Sequence, residues 1–139
     1  MTLRYLLDAN VLSELTRPSP NRRLLGRVHR NEPALCTAAP VWHELHFGVH
    51  RLPEGTRRSA LEEFVAGLAR SGMRVLPYEA AAAEWHAKER ARQAKAGKTP
   101  PFVDGQIAAI AAVNGLVLIT ANTDDFAQFE TLEVKDWTS

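Results

Sequence analysis

Short aliphatic runs alternate with segments of helical character along most of this chain, and this alternation restricts the possible folds more than any other feature. The apolar runs occupy residues 3–7, 34–37, 73–76, 116–119 and 132–134. Runs of this length are typical of strands that are buried on both faces of a parallel sheet. Strands that alternate with helices predict an α/β domain, in which helices flank a mainly parallel central sheet of four or five strands.

The helical segments are marked by apolar spacing and by capping residues. Residues 56–70 give the clearest case, because their apolar side chains recur at i, i+3, i+4 and i+7 from Leu61. Further helices are predicted from a cap at Asn21 onward and at residues 10–16, 39–49, 79–96, 103–113 and 124–129. No repeat or linker-like segment interrupts the pattern, so residues 1–139 are expected to form one domain.

Charge and cysteine content narrow the class of protein only slightly. The formal net charge is +1, which argues neither for nor against a nucleic-acid partner. Basic residues cluster at 17–30 and 88–98, either as solvated helix faces or as phosphate contacts beside a site. The single cysteine, Cys36, lies in an apolar run and cannot form an internal disulfide, which fits a reducing compartment.

Nothing in the sequence predicts a secreted or membrane-bound protein. Arg4 and Asp8 interrupt any apolar leader segment near the start of the chain. No apolar run reaches the ~20 residues that a membrane-spanning helix requires. A cytoplasmic location is therefore expected.

Polar side chains follow the first and fourth predicted strands. Asp8 comes directly after the first strand, and Asp125 follows the fourth together with Thr120 and Asn122. Because an open α/β sheet binds its ligands outside the carboxyl ends of its strands, these side chains are candidates for one site.

Two more acids fall near the same edge. Glu44 lies one turn into the helix after the second strand, and Asp104 lies in the first turn of the helix that leads into the fourth. Each acid also has a purely structural interpretation: a helix cap for Asp8, a dipole partner for Asp104, an exposed helix position for Glu44 and a surface turn for Asp125. Function is favoured because Asp8 follows a buried strand and Asp104 lies in a strongly apolar helix, where a lone acid needs a partner.

Carboxylates gathered at one edge would repel each other and resist ionisation, and a divalent cation removes that conflict. Hard oxygen ligands suit Mg²⁺ or Mn²⁺ rather than zinc. One or two such ions can activate water and stabilise an in-line displacement at phosphorus. The residues themselves therefore favour a metal site with hydrolytic chemistry.

Four segments of this chain, in order, resemble those of the PIN-domain family, and specifically its VapC-type toxins from type II toxin–antitoxin pairs. They are "LLDANVLSEL" with Asp8, "VWHELHFGV" with Glu44, "PPFVDGQIAAIAAVNG" with Asp104, and "LVLITANTDDF" with Thr120, Asn122 and Asp125. The resemblance covers nearly the whole chain. It implies a parallel PIN-like α/β sandwich and a metal-dependent endoribonuclease that cuts structured RNA, using Mg²⁺ or Mn²⁺.

The same resemblance implies roles and partners. Asp8 and Asp104 would be the main metal ligands, Glu44 would bind directly or through water, and Asp125 would complete the acidic pocket. A small cognate antitoxin would occupy the site, homodimers or toxin–antitoxin hetero-oligomers would form, and DNA would be contacted only through the antitoxin.

Three supporting assignments stay open between alternatives. Thr120 and Asn122 would orient ligands or bind the scissile phosphate. Asn10 would do the same or act as a helix N-cap. The fourth acid is ambiguous by one residue, and Asp125 is preferred over Asp124 because it directly precedes Phe126, as in the family pattern.

Two rival interpretations come from other features. "HELH" resembles a zinc protease motif, but its histidines are three residues apart, so His43, His46 and His50 form either a fortuitous zinc site or an exposed stripe. A non-catalytic RNA- or partner-binding module is the second rival. Cys36 as a nucleophile is a weaker idea still, given its apolar setting.

Overall fold

The computed structural model of the protein describes residues 2–139, and its centre is a five-stranded sheet in which every pairing is parallel. The strands are β1 (Tyr5–Leu7), β2 (Leu35–Ala38), β3 (Arg74–Leu76), β4 (Val117–Ile119) and β5 (Val134–Lys135). Their order across the sheet is β3-β2-β1-β4-β5. The predicted α/β class with a parallel central sheet is confirmed; Met1, part of the predicted 1–139 domain, lies outside the described residues.

Six α-helices connect and cover the strands within residues 2–139. They are α1 (Ala9–Glu14), α2 (Arg22–Arg30), α3 (Ala39–Arg51), α4 (Thr56–Arg70), α5 (Ala80–Lys95) and α6 (Phe102–Val113). Asn21 caps α2 as predicted, because its side-chain oxygen accepts a hydrogen bond of 2.9 Å from the Leu24 N–H.

Two elements near the end of the chain differ from their predicted form. The segment predicted as a helix at 124–129 is a 3₁₀ helix over Thr123–Phe126. The fifth strand lies at Val134–Lys135 rather than at 132–134. Thr131 has a φ of 61°, a left-handed conformation that breaks the extended backbone just before this strand.

The register of the sheet brings the carboxyl ends of β1 and β4 side by side. Leu7 pairs with Ile119 at the last position of both strands. Strand β2 pairs with β1 on one side, and β4 pairs with β1 on the other side. The strand order therefore reverses between β1 and β4. Such reversal points in open α/β sheets form the crevice where ligands bind.

The aliphatic runs of the sequence form the hydrophobic core of the fold. Leu6, Leu7, Leu118 and Ile119 are fully buried in the centre of the sheet. Helix α6 is buried continuously from Ile107 to Ala111, which fits its position between the sheet and α5.

Cys36 is also fully buried, and this burial raises the pKa of its thiol to about 11. A thiol with so high a pKa carries almost no nucleophilic thiolate at neutral pH. The weak suggestion that Cys36 is a nucleophile is therefore wrong, and the residue acts as a small core side chain.

Two surface features complete the description of the fold. A cavity of about 530 Å³ lies under α1, α2 and α4, is lined mainly by apolar side chains such as Leu12, Val28 and Phe64, and contains none of the candidate acids. Across residues 2–139, no helix combines the length and the apolar character that crossing a bilayer would need.

Candidate active site

Asp8 stands at the carboxyl end of β1, and the residue as a whole is 8% exposed. Its backbone N–H donates to the Ile119 carbonyl over 2.9 Å, which continues the pairing of β1 with β4. Its Oδ1 accepts a 2.8 Å hydrogen bond from the Ala9 N–H, so Asp8 is the N-cap of α1. Asp8 is therefore a helix cap, as its structural interpretation proposed. The capping hydrogen bond uses only part of the acceptor capacity of the carboxylate.

Thr120 holds the other oxygen of this carboxylate. It is fully buried directly after β4, and its hydroxyl donates a 2.9 Å hydrogen bond to Asp8 Oδ2. The same Oγ1 accepts hydrogen bonds of 3.1 Å from Asn10 Nδ2 and from the Asn122 backbone N–H. One donated and two accepted bonds use the full capacity of a hydroxyl. Asn10 Oδ1, at 3.4 Å, is a second and longer acceptor for the same hydroxyl proton.

Asn10 joins α1 to the loop after β4. Its Oδ1 accepts a 3.0 Å hydrogen bond from the Ala121 N–H, while its Nδ2 lies 3.1 Å from Thr120 Oγ1 and 3.5 Å from Asp8 Oδ2. The alternative that Asn10 is a helix N-cap is wrong, because Asp8 fills that position. Asn10 instead fixes the geometry of the groups around Asp8, and Asn122 adds a backbone donor while its side chain is exposed.

Electrostatic interactions link Asp8 to two further aspartates, Asp104 and Asp125. Burial is the main reason that the pKa of Asp8 is raised, the Ala9 N–H and the Thr120 hydroxyl lower it, and the charge of Asp125 raises it again. The pKa of Asp104 is raised to about 6, first by burial and then by the charges of Asp8 and Asp125. The structure therefore brings three carboxylates from three different segments into one field.

The structure also distinguishes the two neighbouring acids of the last segment. Asp125 lies in the 3₁₀ helix, where its N–H bonds to the Asn122 carbonyl over 3.1 Å. Its charge acts on both Asp8 and Asp104. Asp124 does not number among the charges that raise either pKa, so of the two acids only Asp125 is coupled electrostatically to Asp8 and Asp104.

Glu44 lies apart from this cluster. Its side chain is 47% exposed on α3, and Oε1 lies 3.9 Å from Nδ1 of His43. The charges that raise the pKa values of Asp8 and Asp104 do not include Glu44. The structure thus joins three of the four predicted acids and leaves Glu44 outside; its role in the site stays a prediction.

The donor chemistry of the site fits a hard divalent cation. In residues 2–139, no three His, Cys, Asp or Glu side chains converge, as they stand, closely enough to share one metal ion. Asp8, Asp104 and Asp125 nevertheless supply only carboxylate oxygens, and their mutual repulsion is the kind of field that Mg²⁺ or Mn²⁺ neutralises. These three carboxylates are therefore the candidate ligands of such an ion, and they would have to lie closer together than they stand to share it.

The histidines of α3 show the arrangement of a surface stripe. The His43 side chain is 75% exposed, and its ring stacks on Phe47 with centroids 6.3 Å apart. His46 packs edge-on against Trp42 at 5.0 Å. No metal-binding cluster of three such side chains occurs in the described part of the chain, which leaves the zinc interpretation without structural support.

A buried histidine beside Asp104 is missing from the sequence predictions. His86 of α5 is 4% exposed, its Nδ1 lies 2.9 Å from the Tyr78 hydroxyl, and its ring packs on Phe102. A Cβ on Gly105 would overlap Nε2 of His86, so only glycine fits directly after Asp104. Burial and the charge of Arg90 lower the pKa of His86, which keeps its imidazole neutral. The lone glycine in an alanine-rich helix was the available signal for this close approach.

Comparisons with known proteins match this chain over most of its length. The family model described as the PIN domain matches residues 5–132. The chain is 33% identical over 124 residues to VapC ribonuclease Y4jK of Sinorhizobium fredii, which covers 87% of this chain and 89% of that protein. It is 32% identical over 136 residues to Toxin FitB of Neisseria gonorrhoeae, with 95% and 97% covered.

A solved structure extends the likeness to three dimensions. The structure of FitAB bound to the IR36 DNA fragment contains a chain that superposes with a TM-score of 0.86 and 28% identity, and the match covers 97% of this chain and 96% of that one. The order of strands and helices described above is therefore shared along almost the entire length.

Proposed function

This chain belongs to the PIN-domain family, as its four segments predicted, and from that premise we propose that it is a metal-dependent endoribonuclease that acts as the toxin of a toxin–antitoxin pair. Its relatives of similar length are named as a ribonuclease and as a toxin. The fold alone would not justify an activity, since one fold carries many functions. The proposal therefore depends on the aspartate cluster.

One observation carries the proposal: the pKa of Asp104 is raised to about 6, first by burial and then by the charges of Asp8 and Asp125. Structural ion pairing does not account for these acids, since none of the three forms a salt bridge with a basic side chain in residues 2–139. Two of these carboxylates, those of Asp8 and Asp104, are buried or partly buried without basic partners, which is destabilising in itself. Such an arrangement is typical of a site that holds a cation for chemistry.

Each side chain of the site would have its own role in phosphodiester hydrolysis. Asp8 and Asp104 would hold Mg²⁺ or Mn²⁺, with Asp125 completing the pocket and Glu44 acting directly or through water. When bound, the ion supplies water activation and charge stabilisation at phosphorus. Thr120 and Asn10 keep the Asp8 carboxylate in one orientation, and the neutral His86 supports the turn of α6 that carries Asp104.

The test is cleavage of RNA by the purified protein with Mg²⁺ or Mn²⁺, beside the same reaction in EDTA. Total cellular RNA is the first substrate, because the target is not specified by the fold. The Asp8→Ala and Asp104→Asn variants are expected to abolish cleavage, as is EDTA. The matched control is Glu63→Gln, which removes an exposed carboxylate of α4 that pairs with Arg70.

Two outcomes would contradict the proposal. Equal cleavage by the protein and by Asp8→Ala would place the activity elsewhere or in a contaminant. Binding of RNA without cleavage under any metal condition would favour a non-catalytic module.

An antitoxin partner belongs to the same proposal. FitAB, the assembly that contains the structural neighbour, is bound to DNA in its solved structure. A small cognate protein would block the site, assemble with the toxin into hetero-oligomers and supply the contact with DNA. Coexpression with the product of an adjacent short gene should suppress cleavage, and only the complex should bind promoter DNA. The cytoplasm is the compartment in which this activity would meet its RNA.

A further inference from the structure

The first residue of α6 presents a large aromatic side chain to solvent. Phe102 is 49% exposed and precedes Asp104 by two residues. The guanidinium carbon of Arg90, on α5, lies 5.1 Å from the centre of its ring. We call this pair the Phe102–Arg90 platform.

The ring of Phe102 is held in place from within the protein. His86 packs against it with ring centroids 4.8 Å apart, and His86 is itself fixed by Tyr78 and by the surface of Gly105. Pro101, directly before Phe102 in the chain, restricts the backbone at the start of the helix. The platform is therefore preorganised, and a ligand that used it would pay little conformational entropy.

The cations around the platform have no counter-charges of their own. Neither Arg90 nor Lys98 takes part in an ion pair within residues 2–139. Both line a groove of about 430 Å³ together with Thr99 and Pro100. By contrast, Arg92 of the same helix is neutralised by contacts of 3.0 Å with Glu89 and 3.5 Å with Glu130.

We propose that the Phe102–Arg90 platform and Lys98 bind the RNA strand next to the scissile phosphate, with one nucleobase stacked on the platform and a neighbouring phosphate on Lys98. This inference rests on the proposed ribonuclease function and adds a substrate-binding surface to it. Exposed aromatic and guanidinium planes stack on unpaired bases of any sequence, and free cations track the backbone. An apolar protein partner fits less well, because it would desolvate Arg90 and Lys98 without providing opposite charge.

The stacking half of the proposal is tested in the cleavage-inactive Asp8→Asn protein. Fluorescence anisotropy with a short fluorescein-labelled oligoadenylate, in buffer with Mg²⁺, measures binding without turnover. Replacing Phe102 by Leu keeps the apolar contact with His86 but removes the ring, and should weaken binding about 5- to 150-fold. Phe102→Tyr retains the ring and should bind like the parent protein.

The electrostatic half has a matched control within the chain. Arg4 is also exposed, and its guanidinium carbon lies 5.1 Å from the ring centroid of Tyr5. It directly precedes β1, at the amino end of that strand, whereas Asp8 follows the carboxyl end. Arg90→Gln should weaken oligoadenylate binding and reduce the slope of log Kd against log salt by about 0.7. Arg4→Gln removes the same charge and contact and should leave both quantities unchanged.

The results separate this inference from the proposed function. Unchanged binding by Phe102→Leu, in a protein whose unmodified form cuts RNA, would overturn the platform and leave the nuclease intact. A fall in oligomer mass by light scattering in Phe102→Leu, with RNA affinity unchanged, would identify the platform as a protein interface and also overturn it. Failure of the unmodified protein to bind or cut RNA would overturn both. Selective loss in Phe102→Leu and Arg90→Gln, with melting temperatures retained, would establish the platform.

Discussion

The hydroxyl of Thr120 donates a 2.9 Å hydrogen bond to Oδ2 of Asp8, although the two residues are separated by 112 positions in the chain. This bond joins the carboxyl ends of β1 and β4 at the point where the strand order reverses. It lies in a fully buried position, where a hydroxyl without a partner would be costly. The orientation of the candidate metal ligand is therefore built into the pairing of two strands, and its consequences can be measured.

Replacing Thr120 by Val keeps the shape of the side chain and removes the hydroxyl that serves three partners. The Asn10 amide and the Asn122 N–H then lose their acceptor, and Asp8 loses a donor. The free energy of unfolding should fall by about 1–3 kcal/mol, as measured by chemical denaturation. Thr120→Ser retains the hydroxyl and is expected to lie close to the unmodified protein. Equal losses in both variants would show that packing, not hydrogen bonding, explains the position.

Two substitutions of Asp8 separate its capping role from its charge. Asparagine caps a helix as well as aspartate does, whereas alanine removes the cap, so Asp8→Ala should be about 1 kcal/mol less stable than Asp8→Asn. Both variants lack a carboxylate, so both should lower RNA cleavage by more than about 100-fold, a loss larger than that expected for outer-shell groups. Denaturation and cleavage assays measure the two effects independently. Cleavage retained in Asp8→Asn would mean that the cap alone matters.

Asp104 should make the stability of the metal-free protein depend on pH. Its pKa rises from 3.8 to about 6 on folding, so the folded state binds the proton more tightly than the unfolded state does. The resulting stabilisation is fully present below pH 3.8 and is lost as the pH rises through about 6. Asp104→Asn removes this loss and should be more stable than the unmodified protein by about 1 kcal/mol at neutral pH, allowing for solvent screening of the half-exposed group. Denaturation in EDTA at a series of pH values tests this; parallel pH profiles for the two proteins would contradict it.

Neighbouring aspartates offer a matched pair for testing the fourth acid. Asp125→Asn removes a charge that acts on Asp8 and Asp104, and should bring the pKa of Asp104 down toward 3.8. It should also reduce cleavage by about 10- to 100-fold, the loss typical of groups that support a metal site. Asp124→Asn changes the net charge equally and should alter neither quantity. NMR titration of Asp104 reports the first effect, and a larger effect from Asp124 would reverse the assignment.

The contact of Gly105 with His86 makes a further prediction. Gly105→Ala forces the new Cβ into the buried imidazole and should cost about 1–3 kcal/mol of stability. Gly48→Ala on α3 is the control, because its Cβ would lie 3.7 Å from Leu61 Cδ2, an ordinary contact. This control should be neutral or stabilising by up to about 1 kcal/mol through helix propensity.

A double-mutant cycle identifies the source of that cost. If His86 is the obstacle, the loss caused by Gly105→Ala should largely disappear in an His86→Ala background. An unchanged loss in that background would locate the obstruction in another group. Calorimetric melting of the four proteins provides the measurement.

Much of the fold was accessible from local patterns, because buried parallel strands are continuous apolar runs and their helices carry periodic apolar faces. The fifth strand was misplaced, since the left-handed backbone at Thr131 is not encoded by any strong sequence signal. Phe47 is 52% exposed and lies beneath the guanidinium of Arg51, an exposure that apolar spacing alone does not reveal. Periodicity identifies a face of a helix, but not the partner that the face meets.

The sequence by itself determined the α/β class and the positions of the acids relative to the predicted strands. Its four ordered segments also indicated membership of the PIN-domain family. These features depend only on local composition and spacing. Only the tertiary structure decided which acids meet. It joined Asp8, Asp104 and Asp125 and left Glu44 beside His43. It also revealed the bond from Thr120 to Asp8, since strand register and helix packing arise from contacts between residues far apart in the chain, and no local pattern specifies them.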